Sequence, residues 1–339
     1  MSREQRFTFI AEYFDPQASM VRQYQLIFYT ADQTIEMYDI KNKRIFLKRT
    51  PYPQLDQKEL FVGSTITIYS RQLKLSAYGD EYTNQHFAAN EGEFFLIIHS
   101  SGLQKVGEIV QQLSQQEIRI ANIRLVDLAP TASKELHVSS RCYIVHASGN
   151  DAWKKADELH SRFASSTRIF VDPSDCSLLR EIGFAPGCTT ATMKNCAVCL
   201  IKPHAINSGF AGPILQRLID EGFEISALAM FTLSTADAED FLEVYKGVVP
   251  EYKRLVEQCA SAPCWAIEVR AENAVNALRA VCGPHDPEIC HVLFPHTLRS
   301  KFGVDRTRNA VHCTDLVEDG TLESEFCFSL MLNKPIQAQ

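Results

Sequence analysis

Ala197-Val-Cys-Leu-Ile201, followed by Gly212-Pro-Ile-Leu-Gln-Arg-Leu218, decides the fold, because the pair occurs twice. Phe94-Phe-Leu-Ile-Ile98 and Gly107-Glu-Ile-Val-Gln-Gln-Leu113 are the earlier copy. Each apolar pentad reads as a buried strand. Each following stretch reads as one face of a helix, with Ile214, Leu215, Leu218 and Ile219 on the apolar side and Gly222 at its end. Ile118 to Leu128 then corresponds to Phe223 to Leu233, where Phe223, Ile225 and Ala227 alternate as in a strand. Cys142-Tyr-Ile-Val145 corresponds to Cys264-Trp-Ala-Ile267, and Ala274, Val275, Leu278 and Val281 make a second helical stripe that stops at Gly283. Self-similarity at this spacing predicts two copies of one domain. Each is ordered strand, helix, strand, helix, strand, which suits an α+β sandwich of the ferredoxin-like kind. The copies span about residues 91–185 and 193–334.

Before Asn90 the pattern is different. Tyr24 to Tyr29 reads as a strand, Thr30-Ala31-Asp32-Gln33 as a turn, and Thr34 to Asp39 as a second strand. Ile45 to Leu47, Thr65 to Tyr69, and Leu73 with Leu75 continue the set, broken by Pro51 and Pro53 and turned at Gly63-Ser64. No helix of length is needed before about residue 85. Residues 1–89 therefore read as a small, mostly antiparallel β domain.

Bulk composition narrows the function classes. With 339 residues, 45% hydrophobic and 22% charged, the chain can bury two or three ordinary cores. No apolar run approaches the roughly 18 residues of a membrane span, and Met1 to Phe9 lacks the apolar core of a secretory signal. The eleven cysteines are scattered through apolar patterns, as small core residues are in a reducing compartment. Cys196 and Cys199 form a C-x-x-C without a second ligand pair, so they read as strand residues rather than a metal site. Net charge is −7 with no dense basic block, which argues against nucleic acid as the main partner. Lys41, Lys43, Arg44, Lys48 and Arg49 form the best local patch, read either as a solvated hairpin edge or as a contact for an acidic surface. These features predict a cytoplasmic protein.

The chemistry gathers around Arg308-Asn309-Ala310-Val311-His312-Cys313-Thr314-Asp315. Walker-type, dinucleotide-binding and protein-kinase motifs are absent. A lone histidine after an apolar strand is ordinarily structural. Here, however, the segment resembles the Asn-x-x-His-Gly-Ser-Asp hallmark of the nucleoside diphosphate kinases, and further motifs follow in order from Cys196 to Leu332. The resemblance implies that His312 is the phosphate-accepting nucleophile and that Glu323 orients its imidazole. It implies that Lys202, in Leu200-Ile-Lys-Pro203, delivers a phosphate-binding ammonium. Arg279 and Arg299, the latter in Pro295-His-Thr-Leu-Arg299, would be phosphate contacts, and Asn309 would touch sugar and phosphate. The reaction implied is ping-pong transfer of a γ-phosphoryl group from ATP to nucleoside diphosphates, with Mg²⁺ on the nucleotide. An imidazole can attack phosphorus from one nitrogen when the other is fixed as a donor. Cations around the transferred group neutralise its developing charge.

The departures matter. Cys313 and Thr314 replace the family's Gly and Ser, and Lys202-Pro203-His204-Ala205 replaces Lys-Pro-Asp-Gly. His285 stands for a phosphate-contacting Thr. The base-stacking Phe falls at Glu251, leaving Tyr252 as the adjacent aromatic candidate. Stacking is worth about 1–3 kcal/mol per base, so its loss predicts nucleotide binding weakened about tenfold or more. In the first copy Ile98 is matched to Lys202, no histidine stands near Val171-Asp172-Pro173, and the counterpart of Leu242 to Val256 is missing. That copy reads as degenerate and non-catalytic.

Residues 1–89 resemble the "DM-ten" module of ciliary microtubule proteins through Thr34-Ile-Glu-Met37, Phe46-Leu-Lys-Arg49, Phe61-Val-Gly63, Ser70-Arg71 and Tyr78-Gly-Asp-Glu-Tyr82. The resemblance implies a pleckstrin-homology-like barrel. The whole domain order is similar to the nucleoside diphosphate kinase homologue seven family. That resemblance implies a cytoskeletal protein of the axoneme of cilia and flagella. Its partners would be tubulin of doublet microtubules and other microtubule inner proteins, in some animals also γ-tubulin complexes. Two expectations follow: a structural microtubule inner protein with weak kinase activity through phospho-His312, or a working nucleoside diphosphate kinase. The substitutions favour the first.

Overall fold

The computed structural model describes residues 5–334, apart from 16, 17, 19, 56, 70, 89 and 90. It divides into two compact units, the first ending at Glu91 and the second beginning at Gly92. Ser70, one of the motif residues above, lies outside the described residues. Among the described residues no helix is long and apolar enough to cross a membrane.

The first unit is a six-stranded antiparallel sheet of β1 (Arg6–Asp15), β2 (Met20–Tyr29), β3 (Thr34–Asp39), β4 (Arg44–Pro51), β5 (Thr65–Ile68) and β6 (Arg71–Tyr78), in the order β4-β3-β2-β1-β6-β5. The sequence reading began the strands at Tyr24 and so missed β1. Phe7, Phe9 and Ala11 alternate into the core, but Thr8 between them is also buried, which blurs the two-residue period. Thr8 lies under the turn at Gly79, whose N–H donates to the Thr8 carbonyl at 2.7 Å. Asp80 accepts from the Thr83 N–H at 2.8 Å and starts the Glu81–Ala88 helix slightly earlier than expected. Lys41, Lys43, Arg44 and Lys48 are exposed around the β3–β4 turn and edge strand β4, while Arg49 pairs with Asp32 at 2.8 Å. The patch thus lies on a sheet edge, charged as edges commonly are.

The second unit is built on one eight-stranded sheet. Its strands are β7 (Glu91–Ile98), β8 (Arg119–Asp127), β9 (Arg141–Asn150), β10 (Thr167–Phe170), β11 (Cys196–Ile201), β12 (Glu224–Phe231), β13 (Cys264–Arg270) and β14 (Val311–Cys313). The order β10-β7-β9-β8-β12-β13-β11-β14 is the repeat made visible. Four strands of the first copy are followed by the same four of the second in reverse. The halves join edge to edge where Ala229 pairs with Arg124. Both members of the C-x-x-C, Cys196 and Cys199, are buried in β11. Between β8 and β9 the first copy carries only the Pro130–Glu135 helix, where the second carries Thr235–Phe241 and Tyr252–Cys259.

The Val106–Gln115 and Ala211–Asp220 helices cross the join, and one apolar core containing Ile109, Val110, Leu113, Ile214, Leu215 and Leu218 runs beneath both halves. Their contact needs glycine. A Cβ on Gly107 would lie 2.5 Å from the Gln216 backbone nitrogen and 2.6 Å from the Gly212 carbonyl oxygen. Backbone cannot swing aside as a side-chain tip can. Gly107→Ala is therefore expected to destabilise the second unit by roughly 1–3 kcal/mol through overpacking, although alanine favours helix. A urea midpoint unchanged or raised in that variant would refute the close approach.

Candidate active site

The site is assembled at the end of the sheet, where β14 pairs antiparallel with β11 and Leu200 sits opposite His312. Alternation sends Val311 and Cys313 into the main core and His312 to the other face, against the Phe241 ring at 4.8 Å. The chain enters β14 through a tight turn. Ala310 has φ +69°, and the Val311 N–H donates back to the Asn309 carbonyl at 2.9 Å. Such a γ-turn is strained for a residue with a Cβ, at about 1–3 kcal/mol. It is held from both sides: the Ala310 N–H donates to His204 Nε2 at 3.2 Å, and the Lys202 N–H donates to the Ala310 carbonyl at 3.0 Å.

The turn points Asn309 inward, where it is fully buried. Its Oδ1 accepts from Lys202 Nζ at 2.7 Å, and its Nδ2 donates to the His285 carbonyl at 3.0 Å. Lys202 Nζ also donates to the Thr307 carbonyl at 3.2 Å. Only 3% exposed, Lys202 has its ammonium pushed down to about 8 by burial. Burial, with Lys202 and Arg299 nearby, lowers the His285 imidazole to about 4. His285 Nδ1 lies 3.2 Å from Asn309 Nδ2, and its Nε2 is buried without a hydrogen-bond partner.

His312 is 5% exposed, with Nε2 2.9 Å from Glu323 Oε1. Thr314 Oγ1 donates to the other carboxylate oxygen at 2.7 Å and itself accepts the Val198 N–H at 2.8 Å. The acceptor on Nε2 fixes the proton there and leaves Nδ1 with the lone pair. Burial lowers the imidazole's proton affinity, but the charge and hydrogen bond of Glu323 outweigh it and hold His312 above the ordinary histidine value. The Asp319–Glu325 helix that carries Glu323 presses on β11 at Gly320, where a Cβ would meet the Cys196 carbonyl oxygen at 2.3 Å. It is pinned by Ser324, whose hydroxyl donates to the fully buried Glu268. Burial pushes the Glu268 carboxyl up, yet bonds from Ser226, Ser324, Thr192 and Met193 bring it below the usual range.

Thus Lys202, Asn309 and His285 form one hydrogen-bonded group, and His312 with Glu323 forms another, the two joined through the 309–312 backbone. The remaining candidates do not behave alike. Arg279 is half exposed and binds the Asp315 carbonyl and carboxylate. Arg299 is buried against the β14 backbone. Tyr252 donates to the Glu239 carbonyl at 3.3 Å and packs, partly buried, on a separate apolar cluster that includes Leu200, Phe241 and Leu255, while Glu251 faces Arg306 at 3.6 Å. The sequence reading did not find Tyr245, which donates to Asp315 and stands edge-on to His312 at 6.1 Å, nor Phe241. Both lie in an ordinary-looking amphipathic stretch. Glu268 left a signal, a charge inside Cys264-Trp-Ala-Ile-Glu-Val269.

The first copy needs one correction. The His99 N–H donates to the Ser166 carbonyl at 2.8 Å just as Lys202 donates to Ala310, and Ile98 pairs with Thr167 as Ile201 pairs with Val311. His99, not Ile98, occupies the place of Lys202, and Arg168 occupies that of His312. The pentads are in register, so the residue after each strand is the equivalent one.

Residues 195–331 match the family described as "Nucleoside diphosphate kinase", and residues 1–89 match "Nucleoside diphosphate kinase 7 N-terminal PH domain". The second half of the large unit thus carries the nucleoside diphosphate kinase domain fold. The Aquifex aeolicus nucleoside diphosphate kinase is 37% identical over 38% of this chain and 91% of its own length. The rat protein "Nucleoside diphosphate kinase homolog 7" is 38% identical over 98% of this chain and 95% of its own length, and the mouse protein of that name is 37% identical over the same shares. The chain belongs to the nucleoside diphosphate kinase homolog 7 family.

Proposed function

We propose that the C-terminal site is a working, if slowed, histidine phosphotransferase that moves a γ-phosphoryl group from a nucleoside triphosphate through His312 to a nucleoside diphosphate. The observation that carries this is the complete nucleophile assembly: His312 Nε2 on Glu323, and Glu323 held by Thr314. Thr314, which stands where the family has Ser, supplies the hydroxyl that holds Glu323. Nδ1 attacks the γ-phosphorus, and the bond to the β,γ-bridging oxygen breaks with the diphosphate leaving. The developing positive charge on the ring is met by Glu323. An acceptor diphosphate reverses the step. Lys202, the Nε2–H of His285 and Arg279 are the groups suited to phosphate oxygens. Mg²⁺ would arrive on the nucleotide phosphates, where it neutralises charge. With Glu251 paired to Arg306 and Tyr252 turned to the core, the base gains little stacking, which supports a raised KM. Labelling with γ-labelled ATP tests the reading, as argued in the Discussion.

A second reading concerns the rest of the chain. Arg168 and His99 at the nucleophile and lysine places leave the first copy without phosphotransfer chemistry, which favours its use as a binding surface. Family membership supports an axonemal role in cilia or flagella, with tubulin of doublet microtubules and other microtubule inner proteins as partners and γ-tubulin complexes as a further one. On this reading the protein stays with doublets through a high-salt wash. Release into the salt extract would leave only the enzyme.

A further inference from the structure

We infer that Glu268 is a positioning residue that sets Glu323 against His312, by tying the helix that bears Glu323 to the middle of the sheet. The inference rests on His312 being the nucleophile. Val198 of β11 lies opposite Glu268 of β13, and its carbonyl accepts the Thr314 N–H at 3.1 Å from the other side. Alternation sends Ile267 and Val269 into the main core, so Glu268 shares the opposite face with His312. From the Asp319–Glu325 helix two consecutive side chains reach to either side of β11. Glu323 goes to His312 on β14, at 2.9 Å, and the Ser324 hydroxyl donates to Glu268 Oε2 on β13. Gly320 sits on the Cys196 carbonyl of β11 between them. Without the Glu268 bond, the Glu323 carboxylate would have to anchor the helix as well as the ring.

Glu268 can serve as an anchor because its own place is fixed. Its Oε1 accepts from Ser226 Oγ at 2.6 Å and from the Thr192 N–H and hydroxyl at 2.7 and 3.1 Å. Its Oε2 accepts from the Met193 N–H at 3.0 Å and from Ser324. Burying a charge is costly. What it returns is a set of charge-assisted bonds, shorter and about twice as strong as neutral ones. Thr192 and Met193 belong to the segment leading from the first copy into β11, and Thr321 Oγ1 also donates to the Met193 carbonyl at 3.4 Å. One carboxylate thus joins that segment, β12, β13 and the helix. The repeat supplies the contrast. In the first copy the equivalent of Glu268 is His146, which pairs at 2.9 Å with a half-exposed Glu93. The copy with Arg168 at the nucleophile place has no buried carboxylate there.

The test compares Ser324→Ala with Ser226→Ala in full-length protein with Mg²⁺-ATP. Each variant takes one hydroxyl from the same carboxylate, so a loss of stability alone appears in both. Only the first unties the helix. A positioning role predicts that S324A lowers kcat on the order of 10-fold with KM within about threefold. It also moves the acid limb of the rate to lower pH, because Glu323 then supports the His312 proton less well. Cys313 and Asp315, the other groups whose charges raise His312, stay in place. S226A should keep kcat within about twofold, with its acid limb unmoved. The inference is overturned by an S324A protein in which either kcat or the limb stays at wild type, or by an S226A protein that matches it. If wild type takes no label, the phosphotransfer reading fails instead, and NMR titration of the His312 imidazole decides. A pKa lower in S324A than in wild type and S226A supports the tether, and equal values in the two variants overturn it. Should S324A not fold, native-state hydrogen exchange of wild type decides. Amides of residues 192–193 and 323–325 that open together support the tether, and separate opening of the two segments overturns it.

Discussion

His312→Ala is expected to remove acid-labile, base-stable phosphate from the protein, lowering incorporation from γ-labelled ATP by on the order of 10³-fold or more. Loss of a covalent nucleophile abolishes the route rather than slowing it. Nearby groups are poor substitutes. Cys313 points to the opposite face of β14, and its thiol is held far above its usual range by the Cys282 hydrogen bond and by burial. His204 offers Nε2 to the Ala310 N–H, and His285 turns Nδ1 towards Asn309. Alanine also deprives the Glu323 carboxylate of one partner, at about 1–3 kcal/mol, so a folding loss could imitate a catalytic one. His312→Gln separates them, since its amide can still donate to Glu323. Both variants should remain folded by urea titration and unlabelled. Persistent label in a folded His312→Gln protein would move the nucleophile elsewhere.

The legible and illegible parts of this chain differ for physical reasons. Strands such as β11, buried on both faces, announce themselves as apolar runs, and their repetition fixed the sheet's composition. The mirror order and the join at Ala229–Arg124 were not legible, because edge pairing between copies is set by backbone groups that every sequence carries. β1 was lost because Thr8 is buried beneath Gly79 through a contact distant in sequence. At the site, residue types showed which groups could act but not which way they face. Arg279 and Arg299 look equivalent as cations in a motif. They differ in exposure and in the Val311 and Gly283 carbonyls that Arg299 reaches. Tyr252 reads as a spare aromatic in the sequence, whereas its hydroxyl donates to the Glu239 carbonyl. Glu268 and Ser324 show the same limit, since their pairing spans 56 positions.

Glu323→Gln should cut the phosphorylation rate by about 10²–10⁴-fold and move its acid limb to lower pH. The two effects have separate causes. The nucleophile is the unprotonated Nδ1, so activity falls as pH drops through the His312 pKa. In the wild type burial pulls that pKa down, but the Glu323 charge and hydrogen bond leave it above the ordinary histidine value. The acid limb therefore begins at higher pH than free imidazole would give. Glutamine can still accept from Nε2–H, so the tautomer persists, but the charge is gone and burial prevails. The limb should then lie below the ordinary value, while the plateau drops because nothing answers the charge developing on the ring. Stability follows the same sign. A histidine with a raised folded-state pKa contributes stability that is complete below the unfolded value, about 6.5, and is lost as pH rises through the folded value. Urea titrations of wild type should show that loss on the alkaline side of 6.5, and Glu323→Gln should not. An acid limb that stayed in place while the plateau fell would mean that Glu323 acts by orientation alone.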